Sequence, residues 1–409
     1  LSGVACLLLA WLSLQAAVAD EPLRLAGVVT VYHHNSHADV IVGRVLEGYT
    51  LDHQGEYPKA KLVSLYVDQV PEGDKSRALA AQHGFALCSS VQEALTLGGS
   101  TLAVDGVLLV CEHGNYPENE VGQTQYPKRR LFGEVADVFR RTGRSVPVFC
   151  DKHLADNWED ARWLYDTARE LHVPLMAGSS LPTTWRYPPL DTERGRQIKE
   201  VVMVSYHTLD AYGFHALEAL QSLVERRAGG ETGVKAVQTL EGEAVWHAIE
   251  SGRLDRELFQ QALACRREKR EGDRPLRDSV QEALLCSIEY NDGLRASVVT
   301  LNYAVVEWAA AWRYEDGTSG ATLFWTQEER PFMHFSYLFK GIEQMMLTGR
   351  AAWPVERTLL TSGTLSALHV SRKQGGVRIE TPHLNVIYQS EWNWQQPPAP
   401  PPGRPITGQ

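Results

Sequence analysis

Val146 to Pro182 reads VPVFCDKHLADNWEDARWLYDTARELHVPLMAGSSLP. Val146 to Phe149 is an apolar run without alternation, the pattern of a strand buried on both faces of a parallel sheet. It runs into a polar cluster, Asp151, Lys152 and His153. Asp156 is expected to open a helix, its side chain accepting from the free amides of the first turn while Glu159 completes a capping box. Trp158, Ala161, Leu164, Tyr165, Ala168 and Leu171 keep helical spacing, so one face packs on the sheet. Val173 to Met176 is the next strand, broken by Gly178. The stretch is a βαβ unit. In open α/β sheets ligands sit beyond the carboxyl ends of the strands, and the Asp-Lys-His cluster lies at such an end.

Working back toward the N-terminus, the same alternation recurs. Leu25 to Tyr32 reads as a first strand and Ala38 to Gly48 as a helix, with His33-His34-Asn35-Ser36-His37 between them. Lys61 to Val67 is a second strand, followed by Asp68, where a ribose-binding acid would sit in a dinucleotide-binding unit. Ser76 to His83 is a helix, a short strand ends at Cys88, and Ser90 to Leu97 is another helix. Val104 to Cys111 is a buried strand ending at Glu112, His113 and Gly114. A polar insertion from Asn115 to Lys128 precedes a helix from Arg130 to Arg141. Loops of that length in a compact domain are functional or mobile.

Beyond Gly178 the character changes. Glu200 to Tyr206 reads as a strand, Asp210 to Arg226 as a helix, Val234 to Leu240 as a strand, and Glu243 to Glu250 and Leu254 to Arg270 as helices. Ala283 to Tyr290 and Leu294 to Asn302 flank Asn291-Asp292-Gly293, a strong hairpin signal. Strands near Val305 to Tyr314 and Ala321 to Trp325 follow, then helices near Phe335 to Thr348 and Thr358 to Arg372. This pattern predicts a largely antiparallel sheet covered on one face. Its other face, carrying Trp308, Trp312 and Trp325, is a candidate surface for a homo-oligomer. From Gln395 the chain is proline-rich and is expected to be extended or disordered.

Composition bounds the function. The 409 residues exceed one ordinary core, so two domains are expected. A net charge of −10 with no basic stripe argues against nucleic acid as the main partner. Val4 to Leu14 is nearly all apolar and Ala17-Val18-Ala19 supplies a cleavage site, so residues 1–19 read as an export signal and the mature chain as periplasmic or extracellular, with no membrane span after cleavage. Cleavage leaves Cys88, Cys111, Cys150, Cys265 and Cys286, an odd set that is no disulfide framework.

Cys150-Asp151-Lys152-His153-Leu154-Ala155 with the following helix and Val173 to Gly178 resembles the glutamate-lysine-proline segment of the Gfo/Idh/MocA family of NAD(P)-dependent sugar oxidoreductases, with Asp151 for glutamate and His153 for proline. Asp210 to Glu218 (DAYGFHALE) is similar to the family's aspartate-x-glycine-x-histidine helix, and Leu347 to Arg350 through Gly375-Gly376 to its closing helix and strand. The resemblance spans some 350 residues. It implies a Rossmann-like, doubly wound parallel sheet over residues 20–178, an α+β domain with a largely antiparallel sheet over 179–394, and a tail over 395–409. It implies Lys152 and His215 as catalytic residues, with Asp210 near the family's aspartate position, which Ala211 occupies here. It places Asp68, Glu112, His113 and Asp151 at the cofactor, NAD or NADP.

One motif departs. Aligning the family's His-Ala pair on His37-Ala38 puts Val29, Val31 and His34 at the three fingerprint glycines. Those glycines let backbone approach the pyrophosphate, so weak binding of free nucleotide is expected. The histidines His33, His34, His37 and His113, with Asp151 and His153, also invite a metal reading, but histidine-rich turns without metal are common and no metal site is assigned. His207 either lines the cleft or ends a strand. Two functions remain open: a sugar oxidoreductase in which Lys152 and His215 handle the proton, or a cofactor-independent or metal-assisted carbohydrate lyase or hydrolase, or a sugar-binding protein, on the same fold. Either takes a small carbohydrate.

Overall fold

The computed structural model describes residues 21–399. The segment expected to be an export signal, residues 1–19, and the last ten residues lie outside them. Six strands form the first sheet: β1 (Leu23–Val29), β2 (Ala60–Val67), β3 (Ala86–Cys88), β4 (Gly106–Val110), β5 (Val148–Asp151) and β6 (Leu175–Gly178). Their spatial order is β3-β2-β1-β4-β5-β6 and every pairing is parallel. This is the doubly wound order of dinucleotide-binding folds, and the chain reverses direction of winding between β1 and β4.

The strands are apolar on both sides because both sides are covered. Ala26, Val28, Val107 and Leu109 face the helices Val91–Thr96 and Lys128–Thr142, while Leu25, Val29, Leu108 and Val110 face the other way. That second layer includes a helix from late in the chain, Met333–Thr348, which contributes Phe335, Leu338, Phe339, Ile342, Met345 and Met346. Gly106 admits it: a Cβ there would lie 2.3 Å from Met346 Sδ.

The second sheet has eight strands: β7 (Trp185–Tyr187), β8 (Ile198–Ser205), β9 (Val234–Glu241), β10 (Glu282–Tyr290), β11 (Arg295–Asn302), β12 (Trp308–Tyr314), β13 (Ser319–Trp325) and β14 (Ile379–Glu380). Their order is β14-β9-β10-β11-β8-β12-β13-β7; only β11 and β8 pair in parallel. The hairpin at Asn291-Asp292-Gly293 forms as expected, with Gly293 at φ +92 and Glu289 opposite Arg295. One face packs on the helices Phe214–Val224 and Val355–Lys373. These two helices are joined by a buried pair, Arg357 Nε donating to Glu225 Oε2 at 2.9 Å.

Several expectations need correction. The helix after β5 is capped by Asn157, which accepts from Asp160 N at 2.9 Å, rather than by Asp156. The helix after β1 is divided into two short pieces, His37–Ile41 and Gly43–Glu47, at Val42, which keeps helical dihedrals (φ −67, ψ −35) while its carbonyl accepts from Val45 N, three residues on, at 3.0 Å. The outer face of the second sheet is covered too, by the helices Glu243–Glu250 and Arg256–Ala264. Trp308 and Trp312 point to the opposite, inner core and are 4% and 2% exposed, so they offer no pairing surface. The start of the proline-rich tail is pinned: Trp394 Nε1 donates to Thr184 O at 2.8 Å, Arg186 N to Gln396 Oε1 at 3.0 Å and Tyr337 OH to Pro398 O at 2.8 Å. Cys88, Cys111, Cys150, Cys265 and Cys286 are all free thiols. No helix among the described residues is long and apolar enough to cross a membrane.

Candidate functional site

The ends of β1, β4 and β5 open into a pocket of about 330 Å³, closed from the other side by residues of the second half of the chain. Lys152 is the first residue after β5 and stands at φ +58, a left-handed conformation that costs an L-residue about 1–2 kcal/mol. It is tied down by its amide, which donates to Gly178 O at 3.1 Å. Its ammonium lies 3.2 Å from Glu112 Oε2. Glu112 follows β4 by two residues, and its other oxygen meets Lys128 Nζ at 3.1 Å. Burial alone would raise the Glu112 carboxyl, but Lys152 and Lys128, with His153 and His37, outweigh it and hold the group well below the usual carboxylate range. Lys128 is fully enclosed, and it also donates to Asp151 O and His153 O at 2.8 Å each. All three of its N–H groups are thereby used.

From the β1 side, His37 Nδ1 lies 2.6 Å from Asp151 Oδ2. His113 packs edge-on against His37 and His33, with ring centroids 5.2 and 5.6 Å away. From the second half, His215 opens onto the pocket from the helix Phe214–Val224, next to a wide π turn over Leu209–Gly213 of the kind that recurs at functional sites. Its Nδ1 is 2.6 Å from Ser179 Oγ, which also accepts from Leu181 N at 3.0 Å and so fixes the ring. Burial, then the nearby Lys152 and His37, pushes the imidazole well below its ordinary pKa, so it is neutral at pH 7.

The expected site residues therefore divide. Lys152, His215, Glu112 and His113 share the pocket wall, and Asp151 stands directly behind it through His37. Asp210 lies at the rim, where Oδ2 accepts from Thr124 N at 3.2 Å, while its neighbours Ala211 and Tyr212 line the pocket. Asp68 is elsewhere: its carboxylate accepts from Tyr66 OH at 2.9 Å, Tyr116 OH at 2.8 Å and Arg130 Nη2 at 2.5 Å. His34 is exposed, and His153 is buried against Phe214. His207 stacks on Tyr212 at 4.5 Å and lines a neighbouring cavity instead. Among the described residues no group of three or more His, Cys, Asp or Glu is disposed to hold a metal ion.

Sequence reasoning missed Lys128, Tyr126, Ser179, Trp308 and His334. Only Lys128 had a signal, being a lone lysine at the start of an amphipathic helix and so one turn from the strand ends.

The turn after β1 is a poor fit for a dinucleotide. Its amides are drawn inward: Ser36 N donates to His33 O at 3.1 Å and Asn35 N to Asp39 Oδ2 at 2.9 Å. The next residue after the ribose-acid position is also engaged, Gln69 exchanging two hydrogen bonds with the backbone of Asn115 at 3.0 and 2.9 Å.

No family model matches the chain, and no curated protein does. Solved structures do. GenD2 from gentamicin A biosynthesis, in complex with NAD, superposes with a TM-score of 0.55 at 16% identity over 88% of this chain and 96% of that one. A myo-inositol dehydrogenase described as putative, from Sinorhizobium meliloti 1021, gives 0.54 at 14% identity over 88% and 99%. A myo-inositol dehydrogenase from Corynebacterium glutamicum ATCC 13032 gives 0.53 at 13% identity over 88% and 98%. Identities this low establish shared architecture, and here it extends through both sheets. The chain therefore shares the two-sheet fold of these dehydrogenases.

Proposed function

We propose that the protein acts on a sugar or sugar derivative as a Gfo/Idh/MocA-type oxidoreductase whose hold on NAD(P) is impaired, with Lys152 and His215 exchanging protons with a substrate hydroxyl. The observation that carries this reading is the convergence of Lys152, held by Glu112 at 3.2 Å, and His215, held by Ser179 at 2.6 Å, on one pocket. An ammonium and a neutral imidazole on one small cavity can donate to and accept from neighbouring hydroxyls, the pattern a polyol presents. The volume of about 330 Å³ falls at the lower end of small-molecule sites. Solved structures of the same fold include inositol dehydrogenases and an NAD complex, which supports the substrate class and makes NAD or NADP the cofactor the fold implies.

Lys152 is oriented by Glu112, and Glu112 in turn by Lys128, so the ammonium is fixed before substrate arrives and needs no reorganisation. His215 stays uncharged at neutral pH and can take up a proton that a hydroxyl releases. The closed turn after β1 favours a second reading, a cofactor-independent carbohydrate lyase or hydrolase, or a sugar-binding protein, on the same fold. Turnover of a panel of inositols, hexoses and their derivatives, with and without NAD and NADP, decides between them. Nucleotide-dependent turnover that falls in Lys152→Ala supports the first reading; binding without turnover, or turnover indifferent to nucleotide, supports the second.

A further inference from the structure

We infer that Asp39 fills, from within the chain, the anion cradle that this fold otherwise offers to a nucleotide's pyrophosphate. The inference deepens the reading of impaired NAD(P) binding by naming the group that impairs it. Asp39 is 1% exposed. Its Oδ1 accepts from Lys75 Nζ at 2.7 Å, and its Oδ2 from Asn35 N at 2.9 Å and Arg330 Nη1 at 2.8 Å. A backbone amide of the turn, an ammonium and a guanidinium are the donors that a phosphate oxygen takes in protein sites. Here all three close on a carboxylate beside the first strand-to-helix turn.

The cradle is built rather than incidental, because three separate segments supply it. Asn35 belongs to the turn after β1. Lys75 precedes the helix Ser76–His83 and is fixed by its own amide, which donates to Tyr32 O at 2.8 Å. Arg330 arrives from the loop before the helix Met333–Thr348, and its second nitrogen meets Glu47 Oε2 at 2.8 Å. Burial would raise the Asp39 carboxyl, yet Lys75, Asn35 and Arg330 together lower it, so it is charged at neutral pH. Lys75 and Arg330 thus spend their charge on two carboxylates, Asp39 and Glu47, while the third cation nearby, Arg44, is fully buried and turned to Ser336 Oγ and to the carbonyls of Val40, Pro331 and Phe332. A dinucleotide must break up a buried, satisfied ion cluster to reach this turn, and truncating one partner of such a cluster strands the others.

The experiment is titration calorimetry and thermal melting of the wild-type chain and the variants Asp39→Asn and Asp39→Ser with NAD, NADPH and inorganic pyrophosphate. Wild type is expected to bind all three with dissociation constants of about 1 mM or weaker. Each variant leaves Lys75 and Arg330 short of an anion, so pyrophosphate should bind at least about tenfold more tightly and raise the melting temperature, which it does not do in wild type. A variant that folds only with pyrophosphate present gives the same answer. Micromolar binding of any of the three by wild type overturns the inference, as does the absence of any gain, or of any rescue, in both variants. The sugar reading is tested apart from this, by the Lys152 variants.

Discussion

Lys152 Nζ and Lys128 Nζ sit on the two oxygens of one carboxylate, Glu112, at 3.2 and 3.1 Å. One acid at the end of β4 thereby joins a pocket lysine at the end of β5 to a lysine with no exposure at all. Removing the acid alone leaves two ammonium groups facing each other in the interior. Glu112→Gln should therefore cost about 3–5 kcal/mol at pH 7. The sign with pH follows from the lowered carboxyl: its contribution is fully present above the unfolded carboxyl pKa, near 4.3, and is lost as pH falls toward the folded value. Urea unfolding at pH 7 and at pH 3.5 should show the gap between wild type and Glu112→Gln narrowing in acid. A gap under about 1 kcal/mol at pH 7 sinks the account.

Lys152 stands at φ +58, where glycine is at ease and alanine is not. Lys152→Gly should be more stable than Lys152→Ala by about 1 kcal/mol, the reverse of their usual order. Both should lower turnover of the eventual substrate by about 10² to 10⁴. Equal stability of the two variants would mean that the left-handed backbone is not carried by this residue. Unchanged turnover would return Lys152 to a structural role.

The βαβ unit around Lys152 was legible because its signals are local: an unbroken apolar run, helical spacing and a polar strand end. The hairpin at Asn291-Asp292-Gly293 was legible for the same reason. Lys128 was not, because a lysine at a helix start looks solvated until β4 and β5 are known to be neighbours. The place of Trp308 and Trp312 is not legible because alternation gives two faces without saying which one a distant helix will cover, and here Phe214–Val224 and Val355–Lys373 cover theirs, while Trp325 packs on the opposite face with Glu243–Glu250 and Arg256–Ala264. Asp39 was invisible as an anion, since Lys75 and Arg330 lie 36 and 291 residues away.

Several buried histidines make the fold sensitive to acid, His153 and His334 among them. His153 and His334 are 2% and 5% exposed, each with Nδ1 unpartnered, and burial pushes each down to about 3. In the unfolded chain they titrate near 6.5, so between that value and 3 the unfolded state binds the more protons and stability falls as pH falls. Each should cost about 2 kcal/mol on going from pH 7.5 to pH 5. His334→Phe removes one of these titrations and its unpartnered nitrogen, and should flatten the dependence of unfolding free energy on pH over that window. A slope as steep as that of wild type would place the acid sensitivity elsewhere.

Gly178 closes β6 at φ +120, and a Cβ there would stand 2.4 Å from Glu218 Oε2 and 3.0 Å from Thr358 Oγ1. Glu218 has no room to yield: it is fully enclosed and accepts from Thr361 Oγ1 at 2.6 Å. Gly178→Ala therefore combines backbone strain with overpacking and should cost about 2–5 kcal/mol. Gly143, at φ +67 with nothing near its missing Cβ, isolates the strain alone, and Gly143→Ala should cost only about 1–2 kcal/mol. The damage at Gly178 should also reach the pocket, because the next residue is Ser179, the partner of His215. Substrate turnover should fall in Gly178→Ala and hold in Gly143→Ala. Making room at Glu218 tests the cause: in a double-mutant cycle, Glu218→Ala should recover part of what Gly178→Ala loses, with a coupling of about 1 kcal/mol or more. Additive losses in that cycle would show that the clash is not what makes glycine necessary there.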